Sequence, residues 1–379
     1  MLDYDTLKLL WWVFIGALLV GFAVTDGFDL GVGALLPILG RGDEERRIII
    51  NSIGPTWDGN QVWLITAGGA IFAAWPAVYA AAFSGLYIAM LLVLFALFFR
   101  PVGFEYRNKV ADPRWRRVWD WGLFAAGLVP ALVFGVAFGN LMQGLPFHFD
   151  ATMRAHYDGS FFALLNPFAL LVGMVSLSML VMHGSVYLTT RTDGDLQLRA
   201  ERAARLAGSV FIITFAASGI WLVLGIAGFH IAAMPPKDAA PNILAKIVTD
   251  VRGDWMENYG VHPWMLLAPA VAYTAALLVI YSEIRRRPAF TFICSAAVQA
   301  GVILTAGFSL FPFIMPSSAD PASSLTLWDA TSSHRTLNWM FWVALIFLPI
   351  VILYTAWVYR VMRGRITAKT IQQEGDTLY

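Results

Sequence analysis

A single cysteine, Cys294, lies in an apolar stretch of this 379-residue chain with no second thiol elsewhere, so neither a disulfide framework nor a thiolate cluster can form within it. Charge is scarce as well. Asp, Glu, Lys and Arg make up 13% of the residues, against about 25% in an ordinary soluble domain, and 58% of the chain is hydrophobic. A water-soluble globule is excluded. Net charge is +1 and no long block of one sign appears, so the footprint needed to hold many phosphates is missing and nucleic acid is not a partner. The segment Met1-Leu-Asp-Tyr-Asp-Thr-Leu-Lys8 is acidic before the first apolar run and lacks a basic n-region and a small-residue cleavage site; the first hydrophobic segment is expected to stay as a helix. With no fixed-period repeat, low-complexity linker or shift in composition, residues 1–379 read as a single integral-membrane domain.

What the chain has is long apolar runs. They fall near 8–38, 57–75, 77–100, 118–141, 160–188, 204–229, 263–284, 289–314 and 337–360, which predicts an all-α polytopic membrane protein of about nine transmembrane helices. Pro76 marks a tight link between the second and third runs. Basic residues gather in alternate loops: Arg100, Arg107, Lys109, Arg114, Arg116 and Arg117 in one, Arg199, Arg202 and Arg205 in the next, then Arg285 to Arg287, and Arg360, Arg363 and Arg365. Because basic residues resist translocation, these loops are expected to face the cytoplasm, with the N-terminus periplasmic and the C-terminus cytoplasmic. Residues 230–262 form an extended periplasmic loop, in which Ile243, Leu244, Ile247, Val248 and Val251 recur at a spacing that predicts a short amphipathic helix on the membrane surface. Residues 364–379 form a short polar cytoplasmic tail.

Candidate chemistry is concentrated in Ala23-Val-Thr-Asp-Gly-Phe-Asp-Leu-Gly-Val-Gly33, which puts Asp26 and Asp29 three residues apart on one face of a membrane helix. At a rise of about 1.5 Å per residue from residue 8, Asp26 sits roughly 27 Å along, in the cytoplasmic part of the span. Asp58, at the inner end of the second span, is expected at similar depth, and Asp120 opens the fourth span from the same side. Such carboxylates read as a proton entrance, because desolvated acids exchange protons. The alternative for Asp26 and Asp29 is to satisfy backbone broken by three glycines, for Asp58 to cap its helix, and for Asp120 to complement a helix dipole. His148, His156, His230, His262 and His334 fall in or beside outer loops; only His183 lies within a span, with no partner histidine, so it reads as a packed or hydrogen-bonded side chain and no haem is expected in this chain alone. The methionines show no ligand pattern, and most tryptophans belong to interfacial belts. Trp63, in Gln61-Val-Trp-Leu-Ile-Thr-Ala-Gly-Gly69, has small neighbours, which leaves close packing and a route for a small apolar molecule as its two readings. Arg100, before Pro101, is expected to snorkel to the interface, with an ion pair to a buried carboxylate as the alternative.

Several of these segments together resemble subunit II of the cytochrome bd ubiquinol oxidases. The resemblance is carried by Phe22-Ala-Val-Thr-Asp-Gly-Phe-Asp-Leu-Gly31, Trp57-Asp-Gly-Asn-Gln-Val-Trp-Leu-Ile-Thr-Ala-Gly-Gly69, Phe98-Phe-Arg-Pro-Val-Gly-Phe-Glu-Tyr-Arg107, Phe311-Pro-Phe-Ile-Met-Pro-Ser-Ser318 and Leu325-Thr-Leu-Trp-Asp-Ala-Thr-Ser-Ser333. It implies two four-helix bundles plus one additional helix, in a heterodimer of the bacterial inner membrane. A sister subunit I would hold two b haems, haem d and the ubiquinol site, and this chain would hold no cofactor or metal. Quinol would be oxidised outside and oxygen reduced to water with protons drawn from the cytoplasm. Asp58 then resembles the proton-path carboxylate at the subunit interface, with Asp26 and Asp29 as supporting acids, and Trp63 the residue beside a lateral oxygen entrance. The resemblance leaves open a structural quinone or lipid in this subunit and a small single-span third subunit. A secondary transporter would also suit buried carboxylates in interrupted helices, but no inverted repeat is visible; a self-sufficient redox enzyme would need paired histidines or thiolates within the spans.

Overall fold

The structure, a computed structural model, describes residues 2–235, 242–367 and 371. Twelve helices of five or more residues follow one another among these: α1 (Tyr4–Leu39), α2 (Asp43–Ile53), α3 (Trp57–Ala74), α4 (Pro76–Gly85), α5 (Tyr87–Tyr106), α6 (Pro113–Gln143), α7 (Pro167–Arg191), α8 (Gly194–Gly225), α9 (Glu257–Val261), α10 (Leu267–Ile284), α11 (Pro288–Leu310) and α12 (His334–Val361). Eight are long and apolar enough to cross a membrane, and the bent pair α3 and α4 makes a ninth if it is taken as one span. Their starts carry the expected punctuation. Asp3 accepts the Thr6 amide at 3.0 Å, Asn166 the Ala169 amide at 2.9 Å and Ser333 the Thr336 amide at 3.3 Å, and Pro113, Pro167 and Pro288 stand in first turns where no amide partner is lost.

The long helices form two groups of four, α1 with the α3–α4 pair, α5 and α6, and α7 with α8, α10 and α11, while α12 lies apart against α1 and α3. The groups meet where α1 and α6 pack on α7. Backbone touches backbone there: a Cβ on Gly31 of α1 would stand 2.0 Å from the Leu180 carbonyl oxygen of α7, and one on Gly135 of α6 would stand 2.5 Å from the Val172 carbonyl oxygen of α7. In lipid, where apolar side chains gain nothing by leaving water, such small-residue contacts are what lets helices associate closely. The most apolar stretch of α12 has no fully buried residue within the chain.

At one end of the bundle lie three two-stranded antiparallel sheets: β1 (Phe147–Phe149) with β2 (Ala155–Tyr157), β3 (Ala227–Ala233) with β4 (Ile247–Arg252), and β5 (Phe313–Met315) with β6 (Leu325–Thr326). The chain start joins them, as the Tyr4 hydroxyl donates to the Ser332 carbonyl at 2.8 Å. Two expectations are corrected here. The run 77–100 is not one helix: α4 is bent by 119° from α3 at Trp75, as a residue before proline avoids helical backbone, and a further break at Leu86 separates α4 from α5. The amphipathic helix expected around Ile243 to Val251 is a single 3-10 turn followed by β4, because Ile247, Val248, Thr249 and Val251 are β-branched and find a partner in β3. The apolar runs 204–229 and 289–314 likewise overrun their helices into β3 and β5. Within the expected loop 230–262, positions 236–241 lie outside the described residues, as do 368–370 and 372–379 of the expected tail.

Candidate functional site

Asp26 and Asp29 are 0% and 1% exposed on α1. Arg100 of α5 meets Asp26 with Nη1 2.7 Å from Oδ1 and is itself 3% exposed. It does not reach toward the interface as expected; an isolated buried carboxylate would cost far more than snorkelling gains, so the long side chain turns inward. Its guanidinium also faces the Trp57 ring, with Cζ 5.8 Å from the centroid. Asp29 is held differently. The Asn60 amide of α3 donates to its Oδ2 at 2.8 Å, and the Tyr359 hydroxyl of α12 donates to Asn60 Oδ1 at 2.6 Å. Among the described residues no donor reaches Asp29 Oδ1. Beside it a cavity of about 10 Å³ has Asp29 and Arg100 as its polar members and Ile49, Ile50, Ile53 and Phe104 among its walls, room for about one water.

Asp58 is not brought together with these groups. It lies exposed in the first turn of α3, while Asn60, two residues on, is buried; positions two apart on a helix do not share a face. Asp58 therefore points from a surface of α3 that no other part of the described chain covers. Asp120 is a clamp. It accepts from Arg107 Nε at 2.6 Å and from Arg46 Nη1 at 2.8 Å, and Arg107 and Arg116 both reach Asp43, at 2.9 and 2.7 Å. This network ties α2 and the end of α5 to α6. Trp63 is half-buried, its ring set against Gly21, where a Cβ would approach to 2.5 Å. Gly68 and Gly69 on the same helix have open space around them. His183 has both ring nitrogens engaged, Nε2 at 2.9 Å from the Val24 carbonyl and Nδ1 at 2.7 Å from the Ser295 hydroxyl, so neither is offered to a metal.

Outside the spans, His230 Nδ1 lies 3.4 Å from Asp254 and 3.3 Å from Glu257. Burial, with Glu257 adding to it and His230 opposing, raises the Asp254 carboxyl above its ordinary range. Lys246 is buried at 2.9 Å from Asp329, pinning the segment before β4 to the one after β6. Sequence reasoning did not single out Asn60, Tyr359 or Arg46, and took Arg107 only as a marker of orientation. Asn60 carried a signal, since if Asp58 faces outward the residue two positions on faces inward.

Fold and site define a polytopic helical membrane protein with a carboxylate and arginine centre inside one of its bundles. The sequence matches the family described as cytochrome bd terminal oxidase subunit II over residues 7–362. It is 53% identical over 379 residues to cytochrome bd-I ubiquinol oxidase subunit 2 of Escherichia coli (strain K12) and 52% identical to the probable cytochrome oxidase subunit 2 of Haemophilus influenzae, with 100% of both chains covered in each case. Its fold is similar to that of a chain in the structure of bd oxidase from Geobacillus thermodenitrificans, with a TM-score of 0.71 at 16% identity, covering 94% of this chain and 98% of that one. The chain belongs to the cytochrome bd terminal oxidase subunit II family. It is a subunit of a haem-containing bd-type quinol oxidase, which implies a subunit I partner, and a multi-pass protein of the bacterial inner membrane.

Proposed function

We propose that this chain is the haem-free partner that stabilises a haem-bearing subunit I, leads protons toward the site of oxygen reduction and gives oxygen lateral access to it. Two b haems, haem d and the ubiquinol site belong to subunit I in this reading, where haem d supplies the oxygen chemistry. The observation that carries it is the set Asp26, Asp29, Asn60 and Arg100, each no more than 3% exposed among apolar helices. Ionisable groups at such depth are expensive and rarely kept without a function. Asp58 stands on the bare wall of α3 beside this set, where a partner subunit would cover it. Arg100 balances the charge of Asp26, and Asn60 with Tyr359 orients Asp29 so that its second oxygen is free to take or release a proton at the small cavity. Asp120 sits nearer the end of the bundle and, held by two arginines, positions α2 over that cavity. The basic loops lie at this same end, and the positive-inside rule makes it cytoplasmic, with the N-terminus and the three small sheets periplasmic. Trp63, half-buried against Gly21, lines the route for oxygen.

The test is to purify the tagged chain with and without co-expressed subunit I and to record reduced-minus-oxidised spectra and quinol-driven oxygen uptake. The reading requires no haem in the isolated chain, and b and d haem bands with oxygen uptake in the pair. Haem bound to the chain alone would overturn it, and a chain that finds no haem-bearing partner would favour an ion-coupled transporter.

A further inference from the structure

At the end of the bundle where α1 turns into α2 and α5 into α6, a cleft of about 290 Å³ opens to the surface. Arg41, Arg46, Arg116 and Arg117 line it, and the first turns of two helices meet there, α2 at Gly42 and α6 at Pro113. Gly42 caps α2 with no side-chain hydrogen bond, and Asp43, Glu44 and Glu45 stand in the first turn of that helix. The acids at the cleft do not balance the bases. Asp43 is shared between Arg107 and Arg116, and Asp120 between Arg46 and Arg107. Glu45, close to Arg41, is bonded to Arg199 at 2.6 Å. In the cleft's lining Arg41, Arg46, Arg116 and Arg117 face Asp43 and Asp120, with Glu45 beside them accepting from the Arg41 amide at 2.8 Å, and Arg116 retains a buried Nε–H with no acceptor among the described residues. Guanidinium groups gathered in excess over a concave site are the chemistry that binds a phosphate.

The surroundings say which phosphate. On α6 Val118, next to Arg117, is 66% exposed and Trp121, about one turn on, 55% exposed, and α5 exposes Phe98, Phe99 and Val102. Trp115 and Trp119, on either side of Arg116 and Arg117 in the chain, pack edge to face at 5.6 Å, and indoles are favoured at the headgroup level. A charged cleft at the head of a helix whose next turn exposes apolar and aromatic side chains fits an amphiphile and not a free anion. We propose that this cleft holds the phosphodiester of an anionic phospholipid whose acyl chains run down the outer face of α5 and α6. The bound phosphate bridges α2 to α6, and α2 supplies Ile49, Ile50 and Ile53 to the cavity beside Asp29, so the lipid holds in place the roof over the buried acids.

The experiment uses the intact two-subunit complex and a double variant, Arg41→Gln with Arg117→Gln, chosen because neither side chain belongs to the buried carboxylate centre. Both proteins are delipidated and returned to nanodiscs of phosphatidylcholine alone or with phosphatidylglycerol. Lipid retained per complex is counted by native mass spectrometry, and thermal stability is measured in each disc and in detergent with inorganic phosphate. The expected result is that the wild type keeps more phosphatidylglycerol than the variant and is stabilised by it, with affinity weakened roughly tenfold to thirtyfold by loss of two arginines at an anionic headgroup, while inorganic phosphate does nothing. Equal retention by both proteins, equal retention of the two lipids, or an arginine-dependent shift with inorganic phosphate alone would overturn the assignment. Normal haem spectra in the variant separate this outcome from any failure of the subunit reading.

Discussion

The Arg100 and Asp26 pair shows how burial decides the behaviour of a single side chain. Each group is tolerable inside the bundle only because the other is 2.7 Å away. Arg100→Met alone should therefore destabilise the complex by roughly 3–5 kcal/mol, the cost of leaving one charge buried and uncompensated. The double change Arg100→Met with Asp26→Leu should recover most of that loss, a comparison read from thermal melts of the two variants. In the outer cap, the raised Asp254 carboxyl means that the folded protein binds its proton more tightly than the unfolded one. Its contribution to stability is then fully present below the ordinary carboxylate value of 3.8 and is lost as pH rises through the raised value. Protection factors of amides in β3 and β4, taken relative to intrinsic exchange at each pH, should rise on acidification from neutral pH toward that range, and Asp254→Asn should flatten the dependence; an unchanged profile in the variant would contradict it. The acids of the site were legible in the sequence because carboxylates are conspicuous in apolar runs. Their partners were less so: Arg100 looked like a snorkelling end residue, and the hydroxyl of Tyr359 reaches Asn60 only after some 300 residues of chain have folded back.

Helices differ from one another in what sets their position. α1 is fixed by glycines that admit the backbone of α6 and α7, so Gly31→Ala should cost about 1–3 kcal/mol by overpacking, seen as a lower melting temperature and lower yield of assembled complex. Gly219→Ala on α8, with open space around it, should leave both unchanged and serves as its control. Long helices were readable from apolar length alone, since nothing but a helix satisfies its own backbone in lipid. Their ends were not, because the apolar runs continue past α8 and α11 into β3 and β5, and length alone does not separate strand from helix. The bend at Trp75 was signalled by Pro76, whereas the break at Leu86 has no comparable mark; there Gly85 sits against the Tyr157 ring of β2, a contact between segments far apart in the chain.

For the whole molecule, the bare wall of α3 and α12 and the buried set behind it are two sides of one arrangement. An α12 whose most apolar stretch has no fully buried residue within the chain and an exposed Asp58 at the foot of α3 are what a subunit prepared to meet another would present. The division into two four-helix groups and one extra helix came from the family resemblance and not from hydropathy, which counts spans and is silent on how they pack. Whether protons pass through this chain is decided most directly by Asp29→Asn and Asp58→Asn variants of the intact complex in proteoliposomes, with quinol-driven oxygen uptake and membrane potential recorded together. With both haem spectra unchanged, turnover and charge separation should fall together in each variant, because oxygen reduction stalls when its protons arrive slowly. Full turnover with full charge separation in both variants would mean that the protons travel elsewhere.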